Sequence, residues 1–292
     1  MMRTLAITVI GATMCAGLLA QQNPQTTFRA RVDRVRVDAM VVDKGKPVSG
    51  LGAADFDVRD NGRTVGELEV TPTNEGISVA IALDLGQSAR DEGVDELLDA
   101  CQALANALES RDRAWIVTFT SSFALKAGPT NDAEAIRRVL SAAEPGSGSA
   151  VWDATFGAVS LTSAFPGRSL VLLFTDGVDR GGWLNQDKAL DVLRRSDVVV
   201  NGIRPAGVLY GFNALESAAK ATGGIVVYAE RGAKLEQQFV DLLAQFRAGY
   251  ILSFAPPAGE AKNGWHNLDV RLKNRKGTVR ARDGYFEPSV PR

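Results

Sequence analysis

The feature of this sequence that most constrains its fold is a regular alternation of apolar runs and amphipathic segments between residues 77 and 247. Residues 77–83 and 170–174 are almost wholly apolar, which is typical of parallel strands covered on both faces. The intervening segments have helical periodicity, and in residues 91–109 one apolar stripe contains Leu97, Leu98, Cys101, Leu104, Ala105 and Leu108. This alternation predicts an α/β domain with a doubly wound, mostly parallel sheet.

Short β segments flank the alternation on both sides. In residues 27–75, apolar and polar residues alternate with period two, and Asp60-Asn61-Gly62 predicts a hairpin turn, with residues 64–70 as the returning strand. Residues 249–288 contain three further strand-like runs and a turn at residues 274–277. Because small isolated sheets are marginally stable in water, we expect the N- and C-terminal strands to form one accessory β-sandwich, with the α/β domain inserted between them.

The first 20 residues are predicted to be a secretory signal peptide. Arg3 gives a short positive region, an uncharged and mostly apolar stretch follows, and Ala20 is the small residue before the cleavage point. The alternative is an uncleaved membrane anchor, but the stretch is short for a bilayer span, which needs about 20 residues. Lipoprotein anchoring at Cys15 is disfavoured because Met14 stands where a small residue is required. We expect an exported protein, periplasmic or secreted, with no integral membrane span after cleavage.

The charge of the chain bears on its partners, and its cysteine content bears on how the fold is stabilised. The chain has 33 lysine and arginine residues against 34 aspartate and glutamate residues, so its charge does not favour nucleic acid or an anionic membrane. Removal of the signal peptide would leave Cys101 as the one cysteine, which excludes an intrachain disulfide. Cys101 lies on the apolar stripe of its predicted helix, and we expect it to be a buried core residue.

Polar residues follow the predicted strands where a ligand site is expected. In an open parallel sheet, ligands bind beyond the carboxyl ends of the strands. Asp84 and Ser88 follow the first strand of the alternation, Asp176 follows the most apolar strand, and Ser149 lies in a glycine-rich loop that opens a helix. Two carboxylates and several hydroxyls at one edge are the ligands that hard cations such as Mg²⁺, Mn²⁺ or Ca²⁺ prefer.

Residues 80–88, 148–154 and 173–177 resemble the three segments of the metal-ion-dependent adhesion site (MIDAS) of von Willebrand factor type A domains. The first segment of that family reads Asp-x-Ser-x-Ser, which Asp84 and Ser88 match at its first and last positions. The family's threonine falls on Ser149 and its second aspartate on Asp176. The resemblance covers residues 77–247 and implies a Rossmann-like fold with a divalent cation, Mg²⁺ first and Mn²⁺ or Ca²⁺ as alternatives. The flanking segments resemble those of a bacterial group of exported proteins related to this family.

Gly86 departs from the family's pattern, because the family has a serine at this position. We expect a water to take the vacated coordination position, and the alternative is a degenerate site that binds no metal. Each residue also has a purely structural interpretation: Asp84 as a cap of its loop, Asp176 as a turn aspartate, and Ser149 as a helix N-cap.

Further residues are expected to support or surround the site. Asp153 is expected to bond loop backbone groups, so that it and Gly86 support the metal site. Asp179, Arg180 and Trp183 are candidates for a rim that contacts a partner, although Trp183 could equally pack on the domain's own surface.

A binding function is favoured over catalysis. His266 is the one histidine and lies in the C-terminal β segment, so the acidic cluster has no Ser-His-Asp set. The resemblance implies a protein-binding or adhesion module in which the cation captures a carboxylate of another protein. The alternatives are a metal-free structural or assembly protein and, less favoured, a metal-dependent hydrolase. The oligomeric state, the partner and the biological process are not indicated by the sequence.

Overall fold

The protein contains a central six-stranded sheet and two smaller sheets. The structure is a computed structural model and describes residues 34–86, 94–204, 214–229, 233–257 and 264–286. The strands in these residues are β1 (Val35–Asp43), β2 (Lys46–Pro47), β3 (Phe56–Asp60), β4 (Arg63–Thr64), β5 (Glu69–Pro72), β6 (Ile77–Asp84), β7 (Arg113–Phe119), β8 (Phe123–Thr130), β9 (Arg168–Phe174), β10 (Val198–Arg204), β11 (Val226–Tyr228), β12 (Tyr250–Phe254), β13 (Trp265–Leu272), β14 (Thr278–Ala281) and β15 (Gly284–Phe286). The helices are α1 (Val94–Asn106), α2 (Ala133–Ser141), α3 (Val151–Ser163), α4 (Gln186–Arg195), α5 (Ala214–Thr222) and α6 (Ala233–Arg247).

The central sheet has the strand order β11-β10-β9-β6-β7-β8. All neighbouring strands in it are parallel except β7 and β8, which are antiparallel. The prediction of an α/β fold with a mostly parallel sheet is therefore confirmed. The order reverses between β6 and β9, and sheets of this kind bind ligands in a crevice beyond the carboxyl ends of the strands at such a reversal.

Strand β6 is apolar throughout because helices cover both of its faces. Its odd-numbered residues, from Ile77 to Leu83, belong to an apolar cluster with residues of α1, α2 and α6. Ala80 and Ala82 belong to a second cluster with residues of α3, α4 and α5. Every residue of the strand is buried. Burial of a large aliphatic side chain contributes about 1.5–3 kcal/mol, so the burial of this strand stabilises the sheet at whose edge Asp84 lies.

Cys101 is fully buried in the first of these clusters, which confirms the predicted core role. Burial raises the pKa of its thiol well above the ordinary value.

Two smaller antiparallel sheets are built from the segments before and after the central sheet. One has the order β14-β1-β12-β5, with β2 paired to β1, and the other has the order β15-β13-β3-β4. The N-terminal strand β1 therefore lies between two C-terminal strands, with Val37 opposite Leu252 and Val41 opposite Val279. Buried residues of both sheets form a single third cluster.

The hairpin predicted at Asp60-Asn61-Gly62 is confirmed, and its two turn residues have positive φ angles of 46° and 81°. The prediction of one returning strand over residues 64–70 is wrong. The strand β4 stops at Thr64, and the chain then crosses to the other small sheet, where β5 pairs with β12. Glu67, with a positive φ of 47°, breaks the extended backbone between the two strands.

Two buried ion pairs connect the central sheet to its surroundings. Arg168, at the start of β9, donates from Nε to Oδ1 of Asp38 on β1 at 2.5 Å, and from Nη1 to the carbonyl oxygen of Phe246 at 2.5 Å. Asp112, just before β7, accepts hydrogen bonds from the backbone N–H of Ile77 at 2.9 Å and from Nη2 of Arg247 at 2.7 Å. These contacts tie the starts of β6, β7 and β9 to the end of α6 and to β1.

Some of the sequence predictions lie outside the described residues: the signal peptide over residues 1–20, Cys15 and the candidate ligand Ser88. Within the described ranges, no helix has both the length and the apolar character needed to cross a membrane.

Candidate functional site

The structure brings Asp84, Ser149 and Asp176 to one edge of the central sheet. Asp84 is the last residue of β6, and Asp176 follows β9 by two residues, so the parallel pairing of these strands places both carboxylates at the reversal point. Ser149 precedes α3, which packs against both strands. All three residues are buried, with exposed fractions of 1% for Asp84, 1% for Ser149 and 6% for Asp176.

Asp84 is the centre of the hydrogen-bond network. Its Oδ1 accepts from the backbone N–H of Gly86 at 2.9 Å, and its Oδ2 accepts from Ser149 Oγ at 2.7 Å and from Thr175 Oγ1 at 2.6 Å. Burial raises the pKa of Asp84, the hydrogen bonds from Thr175, Ser149 and Gly86 oppose that rise, and the negative charge of Asp176 adds to it. Three hydrogen-bond donors therefore hold the Asp84 carboxylate where burial and the charge of Asp176 disfavour its ionised form.

The two hydroxyls present lone pairs because they donate their protons to Asp84. A serine or threonine hydroxyl has one proton and two lone pairs. Ser149 and Thr175 both give that proton to the same carboxylate oxygen, so their oxygens are oriented as electron donors towards the rest of the site. One lone pair of Thr175 is engaged by the N–H of Gly177 at 3.1 Å. The interpretation of Ser149 as an N-cap is wrong, since the N-cap of α3 is Ala150, with no side-chain cap.

Asp176 is bound on both of its oxygens. Oδ1 accepts from the N–H of Val178 at 2.8 Å, which is the local turn contact expected of an aspartate before Gly177. Oδ2 accepts from Nη2 of Arg180 at 2.9 Å. Arg180, which was predicted to lie on the rim, therefore reaches into the site itself.

The position of Gly86 has no room for the serine of the family's motif. A Cβ atom built on Gly86 would lie 2.3 Å from the carbonyl oxygen of Gly148 and 2.9 Å from Oδ1 of Asp84. The loop before Ser149 thus occupies the space that a side chain at position 86 would need. The expectation that a water takes the coordination position of the family's serine stays a prediction.

The loop after Asp176 is held by helix α3. Asp153 accepts from the backbone N–H of Trp183 at 3.2 Å and from that of Leu184 at 2.9 Å, so it bonds loop backbone groups in the way expected from the sequence. Asp179 accepts from the N–H of Trp152 at 3.5 Å. The Trp183 side chain is 73% exposed beside these contacts, and its ring meets the edge of the Phe156 ring at a centroid distance of 6.2 Å.

Thr175 is the site residue that sequence reasoning missed. Its position could have indicated its role, because Thr175 lies between the end of β9 and Asp176 and so places a hydroxyl at the same edge of the sheet. His266 lies elsewhere, in β13, where Nδ1 contacts Asp60 at 2.8 Å and the ring stacks on Tyr285. Within the described ranges, no three His, Cys, Asp or Glu side chains are grouped closely enough to hold a metal by themselves.

Comparison with solved structures identifies the fold of the central domain. The von Willebrand factor type A protein from Catenulispora acidiphila superposes with a TM-score of 0.54 and 13% sequence identity, over 82% of this chain and 74% of its own. The central domain has the von Willebrand factor type A fold. Proximal thread matrix protein 1 from the mussel byssus is also similar to it, with a TM-score of 0.51 and 16% identity over 64% of this chain and 50% of its own. No protein-family model and no curated protein matches the sequence.

The oxygen donors at the edge of this central domain fit a hard divalent cation. Asp84, Ser149, Thr175 and Asp176 offer oxygen and no sulfur or nitrogen, and two of the four are carboxylates. Asp84 would hold its neighbours in place through the hydrogen bonds described, while Ser149 and Asp176 offer oxygens towards the ion. A bound cation would supply an electrophilic centre for an anionic group at the open face.

Proposed function

We propose that this protein is an exported binding module that captures an acidic group of a partner protein through a divalent cation. The cation would be held at the crevice by Asp84, Ser149 and Asp176, with Ser88 as the further ligand expected from the sequence. The observation that carries the proposal is the bonding of Ser149 and Thr175 to one oxygen of Asp84. This bonding orients two hydroxyl oxygens beside a second carboxylate at the switch point of the sheet.

The mussel protein supports the feasibility of a cation in this fold. One of its structures is described as having a zinc-occupied MIDAS motif, with a TM-score of 0.51 to this chain. We infer Mg²⁺ as the natural cation here, because the donors are oxygens and Mg²⁺ is a hard ion that retains several waters. The neutral hydroxyl ligands would leave the ion electrophilic enough to bind a carboxylate from another chain.

A binding role is preferred to hydrolysis because, among the residues that the structure describes, the site has aspartates and no histidine to act as a general base. The one histidine of the chain is paired with Asp60 in the small sheets. The oxygens of both carboxylates already accept hydrogen bonds, which stabilises the charged form and weakens either aspartate as a base towards water.

The proposal also includes the arrangement of the domains and a role for the two smaller sheets. We infer a signal peptide over residues 1–20, and an accessory β-sandwich formed by residues 27–75 and 249–288. This sandwich would carry the binding domain of residues 77–247 and present its open edge to the periplasm or the exterior.

Calorimetric titration with Mg²⁺, Mn²⁺ and Ca²⁺ tests the cation site. Wild-type protein should bind one Mg²⁺ per chain, and Asp84→Ala should lose binding because it removes the carboxylate that orients Ser149 and Thr175. Asp191→Ala, which removes an exposed carboxylate paired with Arg195 on α4, is the control and should bind normally. A wild-type protein that takes up none of the three ions would leave the metal-free assembly role as the better account.

A chelator test addresses the partner. A partner captured through the cation should be released by chelation and should fail to bind Asp84→Ala, whereas Asp191→Ala should retain it. Capture that survives chelation would contradict a cation-mediated contact.

A further inference from the structure

The cation proposal leaves one charged contact without a role, the ion pair between Arg180 and Asp176. Nη2 of Arg180 lies 2.9 Å from Oδ2 of Asp176, and the two residues are four apart in a loop, where no helix imposes the pairing. The side chain of Asp176 is 8% exposed, whereas that of Arg180 is 44% exposed. A buried carboxylate of the site is therefore covered by a cationic side chain that reaches it from the solvent side.

The backbone around Arg180 is fixed, so its side chain can move without a change in the loop. The N–H of Arg180 donates to the carbonyl oxygen of Ser149 at 2.7 Å. Three and four residues further on, the N–H groups of Trp183 and Leu184 donate to the buried carboxylate of Asp153. The guanidinium can leave Asp176 by rotation about side-chain bonds alone, which occurs rapidly for an exposed side chain.

The guanidinium and a divalent cation would compete for Asp176. Each oxygen of Asp176 accepts one hydrogen bond, Oδ1 from the N–H of Val178 and Oδ2 from Arg180, and Arg180 is the positively charged donor of the two. A guanidinium left in contact would also repel the incoming ion, because like charges a few ångströms apart repel appreciably even at high dielectric.

We propose that Arg180 is a built-in competitor that occupies Asp176 without metal and is displaced to the rim when a divalent cation binds. This inference rests on the proposed cation site and goes beyond it by naming the residue that sets its affinity. The displaced guanidinium stands at the open edge, where the acidic group of a partner arrives. Cation binding would thus expose a second positive group for that partner, and would couple the two binding events.

Titration with Mn²⁺ followed by electron paramagnetic resonance tests the competition, because the signal of free Mn²⁺ falls as the ion is bound. We expect Arg180→Gln to bind Mn²⁺ about tenfold more tightly than wild type, since it removes the competing charge. Arg180→Lys keeps the charge and should stay within about threefold of wild type. Arg137→Gln is the matched control, because Arg137 forms an exposed pair with Glu134 on α2, and it should equal wild type.

The outcomes separate this inference from the proposal on which it rests. If wild type binds Mn²⁺ and Arg180→Gln binds it equally or more weakly, the competitor role is overturned while the cation site stands. Tightening in Arg137→Gln as large as in Arg180→Gln would reduce the effect to net charge and overturn the inference. If neither wild type nor Arg180→Gln takes up Mn²⁺, with unfolding transitions in chelator showing both to be folded, the cation site and the inference fall together.

Discussion

At the scale of single residues, the geometry of the site depends on the buried carboxylate of Asp84 and on the glycine at position 86. Asp84 receives three hydrogen bonds and thereby fixes the hydroxyls of Ser149 and Thr175. The glycine at position 86 lets the loop of Gly148 approach closely enough for the bond between Ser149 and Asp84 to form. A backbone carbonyl oxygen therefore lies next to the position where the family has a serine side chain.

Gly86→Ala should destabilise the protein. The new Cβ would stand 2.3 Å from the carbonyl oxygen of Gly148, and relief requires the backbone of one loop to move. We expect a loss of about 1–3 kcal/mol in the free energy of unfolding, measured by urea denaturation. Gly66→Ala is the control, because nothing lies within 4 Å of a Cβ at that position. Equal stability of the two variants would show that the loop yields freely and that the close approach is unimportant.

The sequence predicted Asp84, Ser149 and Asp176 because each stands at the end of a strand or the start of a helix that periodicity identifies. Thr175 was missed because a threonine at the end of a strand is also ordinary core sequence, and its role emerges only from the facing carboxylate. The contact between Arg180 and Asp176 was unpredictable for a similar reason. Its spacing of four residues suggests a pair only within a helix, and here a loop brings the side chains together.

At the scale of elements, Asp112 joins the beginning of β6 to the end of α6. It accepts from the N–H of Ile77, from the N–H of Glu109 and from the guanidinium of Arg247. Burial alone would raise the pKa of Asp112, but the hydrogen bonds from Arg247, Glu109 and Ile77 outweigh it, so the pKa lies below its ordinary value.

Asp112→Asn should weaken the fold in a pH-dependent way. Because the pKa of Asp112 is lower in the folded than in the unfolded chain, its stabilising effect is complete above the unfolded value, near 3.8, and is lost as the pH falls through the folded value. We expect the variant to be about 2 kcal/mol less stable at pH 7, with the difference shrinking below about pH 4. Urea denaturation across this pH range measures it.

Asp191→Asn, on the exposed face of α4, is the control for Asp112→Asn and should change stability by less than about 0.5 kcal/mol. A loss in Asp112→Asn that is constant with pH would contradict the role assigned to the ionised carboxylate.

The elements predicted best from sequence were those buried on both faces. Strands β6 and β9 are continuous apolar runs bounded by polar residues, so hydrophobicity alone locates them. The antiparallel edge strand β8 was not predicted, because only one neighbour covers it and its residues are partly exposed, including Phe123 and Leu125. An edge strand is not buried on both faces, so its sequence lacks the continuous apolar run that identifies a central strand. Its place in the sheet depends on its pairing with β7.

At the scale of the whole molecule, Arg168 connects the central domain to the two smaller sheets. Its guanidinium pairs with Asp38 on β1, donates to Thr73 and to the carbonyl of Phe246, and lies 3.9 Å from the centroid of the Phe246 ring. Burial raises the pKa of Asp38, and the charge of Arg168 opposes that rise. One buried arginine thus links a strand of the central sheet, a helix and a strand of an outer sheet.

Arg168→Met should cost about 3–5 kcal/mol in the free energy of unfolding, because it leaves the Asp38 carboxylate buried without its partner. The double variant Arg168→Met with Asp38→Asn should regain part of this loss, since no unpaired charge remains. Arg271→Met, which breaks an exposed pair with Asp269 on β13, should have little effect in the same urea denaturation. Equal stability of Arg168→Met and Arg271→Met would show that the buried pair does not hold the two parts together.

The place of β1 between β12 and β14 has a consequence for how the chain is made. The last two residues of the strand pair with the nearby β2, but residues 35–42 pair with β12 and β14, which are made only when the ribosome reaches residues 250–281. Until then its edges are open to other chains, which is a recognised route to aggregation. A polypeptide that stops before Tyr250 would keep these edges open, so the sheet can close only after the C-terminal strands β12 and β14 have been synthesised.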